Sequence, residues 1–187
     1  MIRRIALALT LTAALAGLSA CGNEDEDVTF GETEGVYVTT GDLKYQVQIS
    51  RLINPYDTED REYLYGLPPA KARLIGQEQW FGVFVRVENE SKTDAHLTAS
   101  RFKIEDTTGK EYEPTVVPPE QNPHFYDQVN LQPEQTFPQP NQTAGVSTAG
   151  GGLLLFKVPN RQFAFRPLEL HIAAPTGNGE ASVDLDV

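Results

Sequence analysis

Between residues 43 and 50 the chain alternates strictly, with Leu43, Tyr45, Val47 and Ile49 apolar and Lys44, Gln46, Gln48 and Ser50 polar. A period of two turns one face of a strand to a core and the other to water. Residues 80–89 carry Phe81, Val83, Val85 and Val87 on one face and Trp80, Gly82, Phe84, Arg86 and Glu88 on the other. The first half of that strand is apolar on both sides, which predicts a central strand covered at one end by a further layer. Shorter strands are predicted at 36–38, 97–105, 111–117, 153–158, 168–173 and 181–187, with Phe102 and Ile104 pointing to one side. The segment Asp106-Thr107-Thr108-Gly109-Lys110 reads as the turn between two of them. No segment sustains a helical period. The expectation is an all-β fold, an antiparallel immunoglobulin-like β-sandwich of 7–8 strands.

Two interruptions break the series. In residues 54–79, Asp57 or Thr58 is placed to cap a short helical insertion that starts near Glu59 and stops at Gly66, with Pro68-Pro69 blocking its continuation. Residues 114–152 form one long loop with 7 of the 13 prolines, ending in Gly150-Gly151-Gly152. A loop of that length is either functional or poorly ordered.

Ahead of the strands the pattern changes character. Arg3 and Arg4 precede an apolar run over residues 5–18, and small residues follow it, which are the three parts of a secretory signal. That run is shorter than the roughly 20 residues a helix needs to cross hydrocarbon. Leu18-Ser19-Ala20-Cys21 has the form of a bacterial lipobox, and Cys21 is the one cysteine in the chain. Resemblance to lipoproteins implies acylation of the Cys21 thiol and cleavage after Ala20. One acyl chain holds a protein only marginally and two or three hold it stably. The division expected is a signal peptide over 1–20, a lipid-attached acidic tether over 21–35, and the sandwich domain over 36–187. The tether carries Glu24, Asp25, Glu26, Asp27, Glu32 and Glu34 with no basic residue, so its like charges extend it.

Loss of Arg3 and Arg4 with the leader leaves 13 basic against 26 acidic residues. Such an excess repels phosphate backbones and anionic lipid, so no nucleic-acid partner is expected, and membrane contact falls to the lipid on Cys21. A cysteine committed to lipid also removes any intramolecular disulfide or catalytic thiol.

Chemistry is otherwise sparse. No Gly-x-Ser-x-Gly elbow exists, and Ser147 in Gly145-Val146-Ser147-Thr148-Ala149-Gly150 lacks the second glycine. His96, His124 and His171 are far apart in sequence. The acidic run from Asp57 fails as a calcium loop, because Glu62 holds its sixth position and Pro68 its twelfth. No cofactor, metal or catalytic residue is expected. What remains is aromatic: Tyr56, Tyr63 and Tyr65 in the first interruption, Trp80 at its strand edge, and His124, Phe125 and Tyr126 in the second. These form either one binding surface, since tyrosine and tryptophan offer rigid contact area with a polar handle, or a mini-core with Trp80 as its floor.

Several blocks together resemble a known family. They are Tyr45-Gln46-Val47-Gln48-Ile49, Leu52-Ile53-Asn54-Pro55-Tyr56, Gly66-Leu67-Pro68, Trp80-Phe81-Gly82-Val83-Phe84-Val85-Arg86-Val87-Glu88-Asn89, Phe102-Lys103-Ile104-Glu105-Asp106, Gly109-Lys110-Glu111-Tyr112 and Gly151-Gly152-Leu153-Leu154-Leu155-Phe156-Lys157-Val158-Pro159. Their order is similar to that of telokin-like, immunoglobulin-like extracytoplasmic lipoproteins of high-GC Gram-positive bacteria, a family of unknown function. The resemblance implies a sandwich at the cell surface and supplies no catalytic residues. One departure is Leu131-Gln132-Pro133-Glu134, where Glu134 stands in place of an expected glycine. The reading is a lipid-anchored, non-catalytic interaction or accessory module of the cell envelope, facing outside the cytoplasm, with an envelope protein as its candidate partner. The alternative is a solute- or metal-binding lipoprotein serving a transporter.

Overall fold

A computed structural model describes residues 27–187; the leader, Cys21 and the first part of the tether lie outside the described residues. The strands are β1 (Phe30–Gly31), β2 (Tyr37–Thr40), β3 (Leu43–Ile53), β4 (Glu78–Glu88), β5 (His96–Leu97), β6 (Arg101–Glu105), β7 (Glu111–Tyr112), β8 (Asn130–Leu131), β9 (Thr136–Phe137), β10 (Gly152–Pro159), β11 (Leu168–Ala173) and β12 (Glu180–Leu185). Two short helices, α1 (Pro69–Ala72) and α2 (Thr143–Val146), lie in the two interruptions, and 3-10 turns occupy Asp60–Leu64 and Asn160–Ala164. One sheet has the order β1-β12-β11-β6-β7 and the other β10-β4-β3-β2, with β9 beside the end of β4 and β5 paired to β8 apart from both. The two sheets pack face to face, so the all-β sandwich read from the alternation is the fold observed.

The main core shows why those residues alternate. Leu43, Tyr45 and Val47 of β3, Phe81, Val83, Val85 and Val87 of β4, and Leu154, Phe156 and Val158 of β10 meet Phe102, Ile104, Leu168, Leu170, Ile172, Ala181 and Val183 of the opposite sheet. Burial of each large side chain here contributes about 1.5–3 kcal/mol.

Several expectations are corrected. The strand count rises to 12 among the described residues, because five two-residue strands form where longer ones or loop were expected. The predicted 97–105 strand divides at residues 98–100, whose backbone turns away from the sheet ladder. There Ala99 N–H donates to the Tyr45 hydroxyl at 2.8 Å, and the Tyr126 hydroxyl donates to the Ala99 carbonyl at 3.0 Å. The 111–117 strand stops at Tyr112, since Pro114 has no N–H to give the ladder, and the chain crosses to the other sheet, where Thr115 bonds Leu155 at 2.6 Å.

The alternation of β3 does not run unbroken to Ile49. A β-bulge between Val47 and Ile49 adds one residue, so Val47 faces Val85 while Ile49 faces Phe84. One extra residue exchanges the two faces. Ile49 is therefore 39% exposed on the outer face, and Ser50 is buried in its place.

The tether does not extend to residue 35. Val28 accepts the Thr39 N–H, and β1 pairs in parallel with β12, Phe30 opposite Ser182. One Glu34 oxygen accepts the Ser50 N–H and the other the Asp186 N–H, each at 3.0 Å. Specific backbone pairing of this kind overrides the like-charge extension expected of the segment.

Finally, the first helical turn ends at Leu64, just ahead of Gly66 at φ 75°, and Pro69 opens α1, a position where its missing N–H costs nothing. The 114–152 loop is ordered, with β8, β9 and α2 inside it and a parallel bridge from Phe125 to Leu153.

Candidate functional site

The outer face of the β10-β4-β3-β2 sheet builds the site. At the end where β3 meets the start of β4, register places Ile53 opposite Trp80 and Phe84 opposite Leu153. Gly82 stands between them. A Cβ there would lie 3.0 Å from both the Ile53 and Leu153 methyl tips, so glycine lets these two side chains from the flanking strands close over β4. The covering layer is the two insertions: Tyr63, Val117 and Phe125 join Ile53, Trp80, Phe84, Leu153 and Leu155 in a second buried cluster, flanked by Leu64, Leu67 and Leu74.

Polar side chains pin the layer in place. Asp57 accepts the Glu59 and Asp60 N–H groups at 2.9 and 3.2 Å, which starts the turn that carries Tyr63. Asp60 is buried and bonds Arg51 at 2.6 Å and the Asn54 N–H at 2.7 Å. Burial opposes its ionisation, yet these two partners outweigh it and hold its carboxyl below the ordinary value. The Arg51 guanidinium lies over the Tyr63 ring at 5.6 Å. Asn122 joins the two insertions: its amide donates to the Glu62 and Tyr65 carbonyls at 2.8 and 3.1 Å and accepts the His124 N–H at 3.1 Å. Lys157 sits over Trp80 at 5.0 Å and donates to the Arg73 carbonyl at 2.6 Å.

The seven aromatic and imidazole candidates therefore separate. Tyr63, Trp80 and Phe125 are at most 6% exposed and form the mini-core, so they are removed from any binding surface. His124 packs edge-on to Tyr63 at 4.9 Å, and burial lowers its pKa against the opposing pull of Glu62. Tyr126 turns the other way, into the main core between Phe102 and Phe137, where burial raises its pKa far above the usual phenol range. Tyr56 and Tyr65 alone remain at the surface, 91% and 61% exposed. Sequence reasoning missed Ile75 and Val116, exposed at 72% and 71%, because the short apolar pairs Leu74-Ile75 and Val116-Val117 carry no periodicity to say which member turns outward.

Elsewhere, a cleft of about 400 Å³ opens between Ser100–Lys103 side chains of one sheet and Pro114 and Val116 of the crossing strap. At its mouth His171 bonds Glu180 at 2.9 Å and has Glu105 and Glu169 at 3.7 and 3.8 Å. Among the described residues no group of three His, Cys, Asp or Glu side chains is arranged to hold a metal ion. No helix among them is long and apolar enough to cross a membrane. Asn89 is buried, and its amide donates to the Asp94, Leu131 and Gln132 carbonyls.

Comparison with known proteins adds the fold alone. No protein-family profile matches the chain, and no curated protein matches it. Among solved structures it is similar to the yjhA protein from Bacillus subtilis, with a TM-score of 0.51 and 13% identity over 83% of this chain and 99% of that one.

Proposed function

We propose that this protein is a lipid-anchored, non-catalytic interaction module of the cell envelope, belonging with the telokin-like lipoproteins its motifs resemble. One observation carries the reading: Arg3-Arg4, the apolar run over 5–18 and Leu18-Ser19-Ala20-Cys21 stand in the order and spacing of a lipoprotein leader. Two further features support it. Chain acidity leaves attachment to the lipid instead of a basic patch, and Tyr56 and Tyr65 stand exposed on an insertion that buried polar bonds hold rigid. Rigid aromatics lose little entropy on contact, which suits them to a protein partner.

Intact mass spectrometry of protein extracted from membranes tests the anchor. The expected mature chain begins at Cys21 and carries a diacylglyceryl group; a chain retaining residues 1–20, or an unmodified Cys21 thiol, contradicts it. Crosslinking on whole cells tests the module. A Tyr56→Ala/Tyr65→Ala variant is expected to lose the partner caught by the wild type while its melting temperature stays unchanged. Turnover by the purified domain in a broad hydrolase screen would contradict the non-catalytic part.

A further inference from the structure

The chain enters the sandwich at one defined end. Among the described residues Val28 is the first to join the sheets' bonding, accepting the Thr39 N–H at 2.6 Å, and Thr29 accepts the Ser182 N–H at 2.8 Å. Because β1 runs parallel to β12, residues 27–29 lie beside the start of β12, just after the 174–179 turn. The Gly41-Asp42 turn between β2 and β3 is there too: a Cβ on Gly41 would come within 2.6 Å of Pro175. Asp27, Thr29, Gly41, Asp42, Gly179 and Glu180 line one small concavity at this end.

The first insertion leaves from the opposite end, whereas the second returns to the sheet at Gly152, opposite Val85, nearer the 41–42 turn. β3 finishes at Ile53, opposite Trp80 near the start of β4, and the Asn54-Pro55-Tyr56 turn and Ile75 follow from there. β4 pairs with Lys44 at Glu88 and with Ile53 at Trp80, so it runs between the two ends. Eleven residues of strand separate them by about 35 Å.

Glu34 and Thr33 fasten the chain along this path, through Ser50 and Asp186, so none of residues 28–35 is available as slack. From Cys21 to Val28 is seven residues, a span of at most about 25 Å. The mature chain is strongly acidic, and the outer face of the β1-β12-β11-β6-β7 sheet presents Glu105, Glu169, Glu180 and Asp184 against Arg101 and Lys103, the latter paired with Glu105. Asp184 is so placed that burial, then Glu169, Glu32 and Asp186, raise its pKa. Laying this face on anionic lipid brings like charges together. A charged body held by one end on a short tether turns its free end away from a surface of the same sign.

We infer that the lipidated protein stands end-on, its Gly41-Asp42 and 174–179 turns toward the lipid headgroups and Tyr56 and Ile75 about 35 Å further out. This rests on acylation of Cys21. That end is thus the membrane-proximal one, held off the headgroups by the tether since Asp27, Asp42 and Glu180 lie there, and the end with the first insertion is the one offered to a partner.

With Cys21 acylated, a cysteine introduced at Asn178→Cys or Ile75→Cys is the only free thiol and takes a fluorescent donor. Energy transfer to a headgroup-labelled acceptor lipid is measured in vesicles of mixed neutral and anionic lipid. Several-fold greater transfer from position 178 than from position 75 is expected. Inserting a long Gly/Ser linker between residues 26 and 27 is expected to reduce the difference. Vesicle flotation separates the two ways of failing. Protein that does not float overturns the anchor and the orientation together, whereas protein that floats with equal or reversed transfer overturns the orientation alone.

Discussion

Asp60 bonds the Arg51 guanidinium with one carboxylate oxygen, at 2.6 Å, and the Asn54 N–H with the other, at 2.7 Å. Through this one buried side chain the last residues of β3 hold the insertion against the outer face of the sheet. Tyr63 then reaches Phe84 edge-on at 5.2 Å, and the mini-core closes over Trp80.

Asp60→Ala leaves Arg51 and the Asn54 N–H without their partner and is expected to cost about 2–4 kcal/mol. Urea unfolding measures it. In the Arg51→Met/Asp60→Leu double variant the loss is expected to be smaller than the sum of the two single losses, because neither charge is then left alone.

Acid should unfold the domain over a defined range. Asp106 is buried and, against the opposing effect of burial, bonds from Thr108, Gln162 and the Lys110 N–H hold its pKa at about 2. Asp60 is depressed in the same direction. A carboxyl whose folded pKa lies below its unfolded value, near 3.9, binds fewer protons when folded, so its stabilisation is complete above about pH 4 and disappears as pH falls through the folded value. Stability is expected to fall from about pH 4 toward pH 2, and Asp106→Asn to flatten that fall while lowering stability at pH 7. Circular dichroism melts across this range read both effects.

Gly82→Val is expected to lower stability by about 1–3 kcal/mol, since the added methyls overlap Ile53 and Leu153. Hydrogen exchange locates the damage: amides of the Tyr63 turn lose protection while those of β11 and β12 keep it.

Glu134 sits at φ 58°, in the left-handed region that a side chain strains. Glu134→Gly is expected to raise stability by about 0.5–1 kcal/mol, relief of strain exceeding the greater unfolded-chain entropy of glycine. An unchanged or lower melting temperature contradicts this.

Periodicity made the architecture legible. Phe81, Val83, Val85 and Val87 face the main core as their alternation requires, and Trp80 and Phe84 on the other face meet the covering layer that two-sided apolarity predicted. β11 occupies 168–173 as read. The bulge before Ile49 was not legible, because a backbone insertion leaves the alternation of side-chain types intact and reverses only their direction. Docking of residues 28–35 was hidden for a related reason: backbone pairing to β12 needs no apolar pattern. At the site, composition alone left surface and mini-core open for Trp80 and Tyr63. Arg51, Asp60 and Asn122, which decide for the mini-core, lie in different segments, and nothing local marks them as partners.

Fractionation of cells producing Cys21→Ser is the most direct test of the central claim, since that substitution removes the one thiol able to take a lipid. Wild-type protein is expected in the membrane fraction and Cys21→Ser in the soluble extracytoplasmic fraction, folded and with an unchanged melting temperature. Cys21→Ser protein remaining with the membrane as fully as the wild type would contradict the account.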